Sequence, residues 1–129
     1  MKDETRLWLV YAEENLKASR LLLEKRLYNP CLQNAQQSIE KGLKALLLEN
    51  THTQKKTHSI SELVFLLVDQ CIIINLSEDD CDLLDSIYLP SKYPLGGVLP
   101  DFEPDAELCQ RCVLLADGVV SEVRKLIDI

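Results

Sequence analysis

Apolar residues return every three or four positions along most of this chain, the period of an amphipathic helix. The first such stripe carries Trp8, Ala12, Leu16, Ser19 and Leu22/Leu23 and predicts a helix from about Asp3 to Arg26. "LYNP" interrupts it, with Asn29 placed as an N-cap and Pro30 as the first helical residue of a second helix. That helix runs to about Asn50 and aligns Leu32, Ala35, Ile39, Leu43 and Leu46 on one face. The same turns carry a polar stripe of Gln33, Gln37, Glu40, Lys41 and Lys44, which is more polarity than docking requires.

"THTQKKTH" reads as a polar linker. A third helix begins at "SISELVFLL", where Ser59 and Glu62 have capping-box spacing. Its residues are apolar nearly all round, which predicts the most buried helix of the set. Ser77 caps a short fourth helix with Leu83, Leu84 and Ile87 inward and acids in its first turn, where the helix dipole favours them. The last helix starts near Pro104 and places Cys109, Cys112, Ala116, Val119, Val123 and Ile127 on one stripe. Between these two lies "LPSKYPLGGVLPDFEP", with four of the five prolines and two of the four glycines. Long aperiodic connections of this kind are more often functional than neutral. No stretch alternates with period two. The pattern predicts an all-α fold, an antiparallel up-and-down four-helix bundle with an additional short helix, in a single domain over residues 1–129.

Composition narrows the function. Apolar residues make up 47% and charged residues 27%, ordinary for a globular protein. The net charge of −7 argues against general DNA binding, which rests on phosphate neutralisation by Lys and Arg. A locally positive region remains at Lys41, Lys44, Lys55 and Lys56. The start, "MKDETRLW", lacks a signal-peptide pattern. The longest apolar run, "LVFLLVDQCIII", is short of a membrane span, so no membrane partner is expected. Five cysteines without framework spacing fit reduced thiols and a cytoplasmic location.

Two clusters invite a metal reading and are better explained otherwise. "CQRC", Cys109 and Cys112, lacks a second ligand pair, and both sulfurs fall on an apolar stripe, so they read as small core residues. Glu78, Asp79, Asp80, Asp82 and Asp85 point in several directions around a helix start and read as a solvated acidic face. No metal and no cofactor are expected.

"AQQSIEKGLKALL" resembles the signature of the HEPN domain (higher eukaryotes and prokaryotes nucleotide-binding). The matching positions are Gln36, Gln37, Glu40, Lys41, Lys44, Ala45 and Leu46. Trp8 with "AEENLKAS", then "HSISEL" from His58 to Leu63, then "KYP" from Lys92 to Pro94 follow the family's order. The resemblance implies a helical bundle that usually forms homodimers and associates with a minimal nucleotidyltransferase in a two-component, toxin–antitoxin-like module. Some members are metal-independent ribonucleases, which carry an Arg, four to six residues, then a His. Here the only histidines are His52 and His58, and neither has an Arg at that distance upstream. Lys92 also stands where the turn usually has Arg, keeping charge but losing the bidentate fork.

No catalytic residue is therefore assigned. The expected function is a non-catalytic module that binds a nucleotide, a nucleotidyltransferase partner, or both. Candidate ligand or partner contacts are Gln37, Glu40, Lys41, Lys44, His58, Lys92 and Tyr93. The alternative is a divergent metal-independent endoribonuclease toxin using Lys92, Tyr93 or His58.

Overall fold

The computed structural model describes residues 1–92 and 103–128, with 89–92 as backbone alone. Five helices follow in order: α1 (Asp3–Glu24), α2 (Tyr28–Thr51), α3 (Ile60–Val68), α4 (Glu78–Lys92) and α5 (Ala106–Ile127). No strand occurs among the described residues. The all-α expectation is met.

Three long helices make the frame. α1 and α2 run antiparallel: the Lys2 ammonium donates to the Leu48 carbonyl at 2.7 Å, and Ser38 Oγ donates to the Ala12 carbonyl at 2.7 Å. α5 runs antiparallel to α1, since Arg20 pairs with Asp117 and Arg124 with Glu13. It is parallel to α2, whose Tyr28 carbonyl accepts from Cys109 and whose Gly42 faces Val119 and Val123. α4 packs on α2 and α3 as the fourth member.

α2 is the central element, because it packs on every other helix. Its apolar face of Leu32, Ala35, Ile39, Leu43 and Leu46 is buried as the periodicity predicts. So is the α5 stripe, with Cys109 and Cys112 fully buried as small core residues.

Several details differ from the sequence reading. The inward stripe of α1 is Thr5, Leu9, Ala12, Leu16 and Ser19, so Leu9 takes the core place given to Trp8, which is only partly buried. α2 begins at Tyr28 with Leu27 at the cap and no side-chain cap bond, so Asn29 and Pro30 lie inside its first turn. The short extra helix is α3, nine residues, whereas α4 has fifteen. α3 is also not the most buried helix: Phe65 and Val68 face solvent. Apolar content all round a helix identifies burial only when neighbours surround it, and α3 packs chiefly on α2 and α4.

Capping follows local chemistry. Ser59 accepts from the Glu62 amide at 3.1 Å. Ser77 and Asp80 cap α4 reciprocally, at 3.0 and 3.1 Å. Asp105 caps α5 through the Leu108 amide.

Candidate functional site

Two residues of the α2 polar stripe, Glu40 and Lys44, join Gln36 in a buried network rather than a solvated face. Spacing of one helical turn puts Gln36, Glu40 and Lys44 in line, and α1 and the chain entering α3 close over them. Gln36 is 1% exposed, Glu40 3% and Lys44 8%. A carboxylate removed from water this far requires partners on its lone pairs. Glu40 has three: the Lys44 ammonium at 3.0 Å, the Gln36 amide at 3.4 Å, and His58 Nδ1 at 3.2–3.3 Å from both oxygens.

Residues 52–59 return along α2 after His52 closes that helix in the left-handed conformation (φ 61°). That return brings His58 over Glu40. Gln36 also holds the His58 carbonyl, at 3.4 Å, and Gln37 donates to the Gln36 side-chain oxygen at 2.8 Å. The imidazole stacks on Tyr88 of α4, centroids 4.9 Å apart and planes 14° from parallel. Just over half of its side chain, 52%, stays open to solvent. A carboxylate oxygen accepts, so Nδ1 is the ring nitrogen placed to donate to Glu40. Nε2 has no hydrogen-bond partner among the described residues.

A second part of the site lies between α1 and α2. Lys44 sits 5.6 Å from the Trp8 ring centroid and Lys41 5.8 Å from that of Tyr11, both within cation–π reach. Lys41 also donates to Asn15 at 2.8 Å. The outward sides of Trp8 and Tyr11, with Leu7, Glu4 and Gln54, line a pocket of about 220 Å³. Gln54 bridges to Glu4 across it at 3.2 Å.

Of the residues expected from sequence, Gln37, Glu40, Lys44 and His58 meet in one network, and Lys41 stands beside it. The Lys44 charge is taken up by Glu40, and Lys41 and Lys44 both stand at the aromatic side, over Tyr11 and Trp8. Tyr93 and the Lys92 side chain, and with them the expected turn, lie outside the described residues. Tyr11, Asn15 and Tyr88 were not expected. The i, i+4 spacing of Tyr11 and Asn15 on α1 signals a shared face, but nothing local ties Tyr88 to His58.

The acids of the α4 start divide by role. Asp80 pairs with Arg111 at 3.1 Å. Asp85 turns inward and accepts from the Ile60 and Ser61 amides and from both serine hydroxyls, Ser59 and Ser61. It is thus the second cap of α3.

An all-helical module with a buried Gln-Glu-Lys network on its central helix, joined by a half-exposed His from the following connection, is the class that these features define. The HEPN domain model matches residues 5–126, and the chain belongs to that family. Its fold is similar to the crystal structure of TT1696 from Thermus thermophilus, at 25% identity and a TM-score of 0.74, covering 96% of this chain and 98% of that one. It is also similar to ST0689, an archaeal HEPN homologue, at 26% identity and a TM-score of 0.69, covering 98% and 99%. No curated protein matches the chain. No described helix is long and apolar enough to cross a membrane.

Proposed function

We propose a non-catalytic HEPN-type module that binds a nucleotide, a minimal nucleotidyltransferase partner, or both, as a homodimer in a two-component, toxin–antitoxin-like pair. The supporting observation is the Trp8–Tyr11 pocket with Lys41 over the Tyr11 ring. Aromatic faces accept a base of any identity by stacking, and Lys41 and Lys44 set two ammonium groups against the Tyr11 and Trp8 rings, where positive charge favours a nucleotide's phosphates. Glu40 and Gln36 then serve by fixing Lys44 behind Trp8.

Trp8 is the only tryptophan, so its emission reports this pocket directly. Titration with ATP, AMP and UTP should quench it saturably, and Tyr11→Ala and Lys41→Ala should weaken the response. An unchanged spectrum at millimolar nucleotide (about 1 mM, a weak-binding limit) rejects the nucleotide reading. Co-purification with a nucleotidyltransferase encoded beside it tests the partner reading, and light scattering tests the homodimer.

A second reading is supported by one observation, the Glu40–His58 pair. A carboxylate fixing Nδ1 of a half-exposed imidazole is how hydrolases orient a general base. A divergent endoribonuclease would use Nε2 to take a ribose hydroxyl proton. RNA cleavage lost in His58→Ala would establish it. Intact RNA after prolonged incubation with the wild-type protein would remove it.

A further inference from the structure

We infer that the groove between α3 and the start of α4 is a docking surface for a basic, amphipathic helix of a protein partner. It uses none of the residues around Trp8 and does not depend on the nucleotide reading. The groove has a volume of about 360 Å³ and is floored by Val64, Phe65, Val68 and Leu76, with Glu78 and Asp82 on its rim. Phe65 is 65% exposed and Val68 49%. Ile73, on the connection between the two helices, is 79% exposed. Large apolar side chains grouped on one face of a folded chain mark an interaction site more often than isolated ones do.

Charge selects the occupant. From Ile60 to Ser91 the sequence has seven acids and neither Lys nor Arg. Among the described residues only Asp80 forms an ion pair, and Asp85 is consumed in capping α3. Glu78 and Asp82 are left exposed on the rim of the apolar floor, and Glu62, Asp69 and Asp79 are exposed elsewhere on the same helices and their connection. A second copy in a two-fold contact would set these acids against their own images, which opposes association. A helix with apolar anchors at i, i+3, i+4 and i+7 and Lys or Arg on its flanks satisfies both the floor and the rim.

The test uses the full chain and a fluorescein-labelled model peptide with Leu at those anchor positions and Lys elsewhere. Anisotropy should rise saturably and weaken with added salt. Phe65→Ala and the double variant Glu78→Lys/Asp82→Lys should each cut affinity about tenfold or more, as loss of an anchor or of the rim charge demands. Both sites are at the surface, and circular dichroism confirms that the variants fold. Equal binding of a peptide with Glu in place of Lys would overturn the inference. So would equal binding of a Lys peptide without Leu, or undiminished binding by the charge-reversed variant. A dimer that Phe65→Asp dissociates would assign the face to a second copy instead.

Discussion

Glu40, on the central helix, holds His58 by Nδ1 while Lys44 neutralises it from one turn further along. The three groups differ sharply in what each would cost to remove. Glu40 and Lys44 are both almost fully buried, so truncating one leaves the other as an uncompensated charge. His58 is half in solvent, where water replaces a lost partner.

Glu40→Ala should therefore lower stability by about 3–5 kcal/mol, the penalty for breaking a buried ion pair. The double change Glu40→Leu/Lys44→Met should recover most of that loss, because no charge remains to be desolvated. His58→Ala should cost only about 0–1 kcal/mol. Urea unfolding followed by far-UV circular dichroism gives all three values. A His58 variant as unstable as Glu40→Ala would place the imidazole, not the carboxylate, at the centre of the network.

The network also shows how far the sequence carries a reader. Periodicity finds the α2 and α5 stripes because each depends only on which face of one helix is apolar. It misassigns Trp8 because Trp8 and Leu9 both lie one turn before Ala12, on either side of its face, and only packing decides between them. Glu40 and His58 are both visible as polar motif residues. Their contact depends on the return path of residues 52–59, which a linker's composition does not encode. The Asp85 cap is hidden for the same reason. Its partners lie 24 to 26 residues away, and local spacing shows only an acid on a helix.

Asp85 yields a second prediction. It accepts the Ile60 amide at 2.6 Å and the Ser61 amide at 3.2 Å, two donors that the first turn of α3 cannot satisfy internally. Asp85→Ala should cost about 1.5–3 kcal/mol, the range for hydrogen bonds to a charged group. Hydrogen exchange should accelerate at Ile60 and Ser61 well before the rest of the bundle opens. Uniform acceleration across all helices would show that Asp85 supports the whole fold and not this one terminus.

The thiols give a pH dependence. Burial pushes Cys109 and Cys112 up to about 12 and Cys81 to about 11, with nearby acids adding to the effect at Cys81. Burial also raises Cys31. A thiol raised in the folded state keeps its proton there while the unfolded chain loses it more readily. The associated stability is complete below the unfolded value, near 9, and is lost as pH rises from there towards 12. Unfolding free energy should fall between neutral pH and pH 10 (about 1.5 units above a free thiol). Replacing Cys109 and Cys112 by Ala should flatten that fall. With a thiol reagent at pH 8 (about half a unit below a free thiol), native protein should react at Cys71 alone, the one exposed cysteine of five.

Glycines inside helices offer a gain without touching the site. A Cβ on Gly42 would meet Val123 Cγ2 at 3.9 Å and Val119 Cγ1 at 4.0 Å, ordinary contact distances, and one on Gly118 would meet nothing within 4 Å. Neither glycine has a positive φ, so alanine fits the backbone as it stands. Replacing glycine by alanine in a helix interior removes unfolded-state freedom worth about 0.5–1 kcal/mol. Gly118→Ala should gain that amount from the backbone alone. Gly42→Ala should gain at least as much, since its methyl adds packing where α2 meets α5. A higher urea midpoint with an unchanged slope is the expected result. A lower midpoint for Gly42→Ala alone would mean that the valines cannot accept the methyl and that α2 and α5 pack closer than van der Waals contact allows.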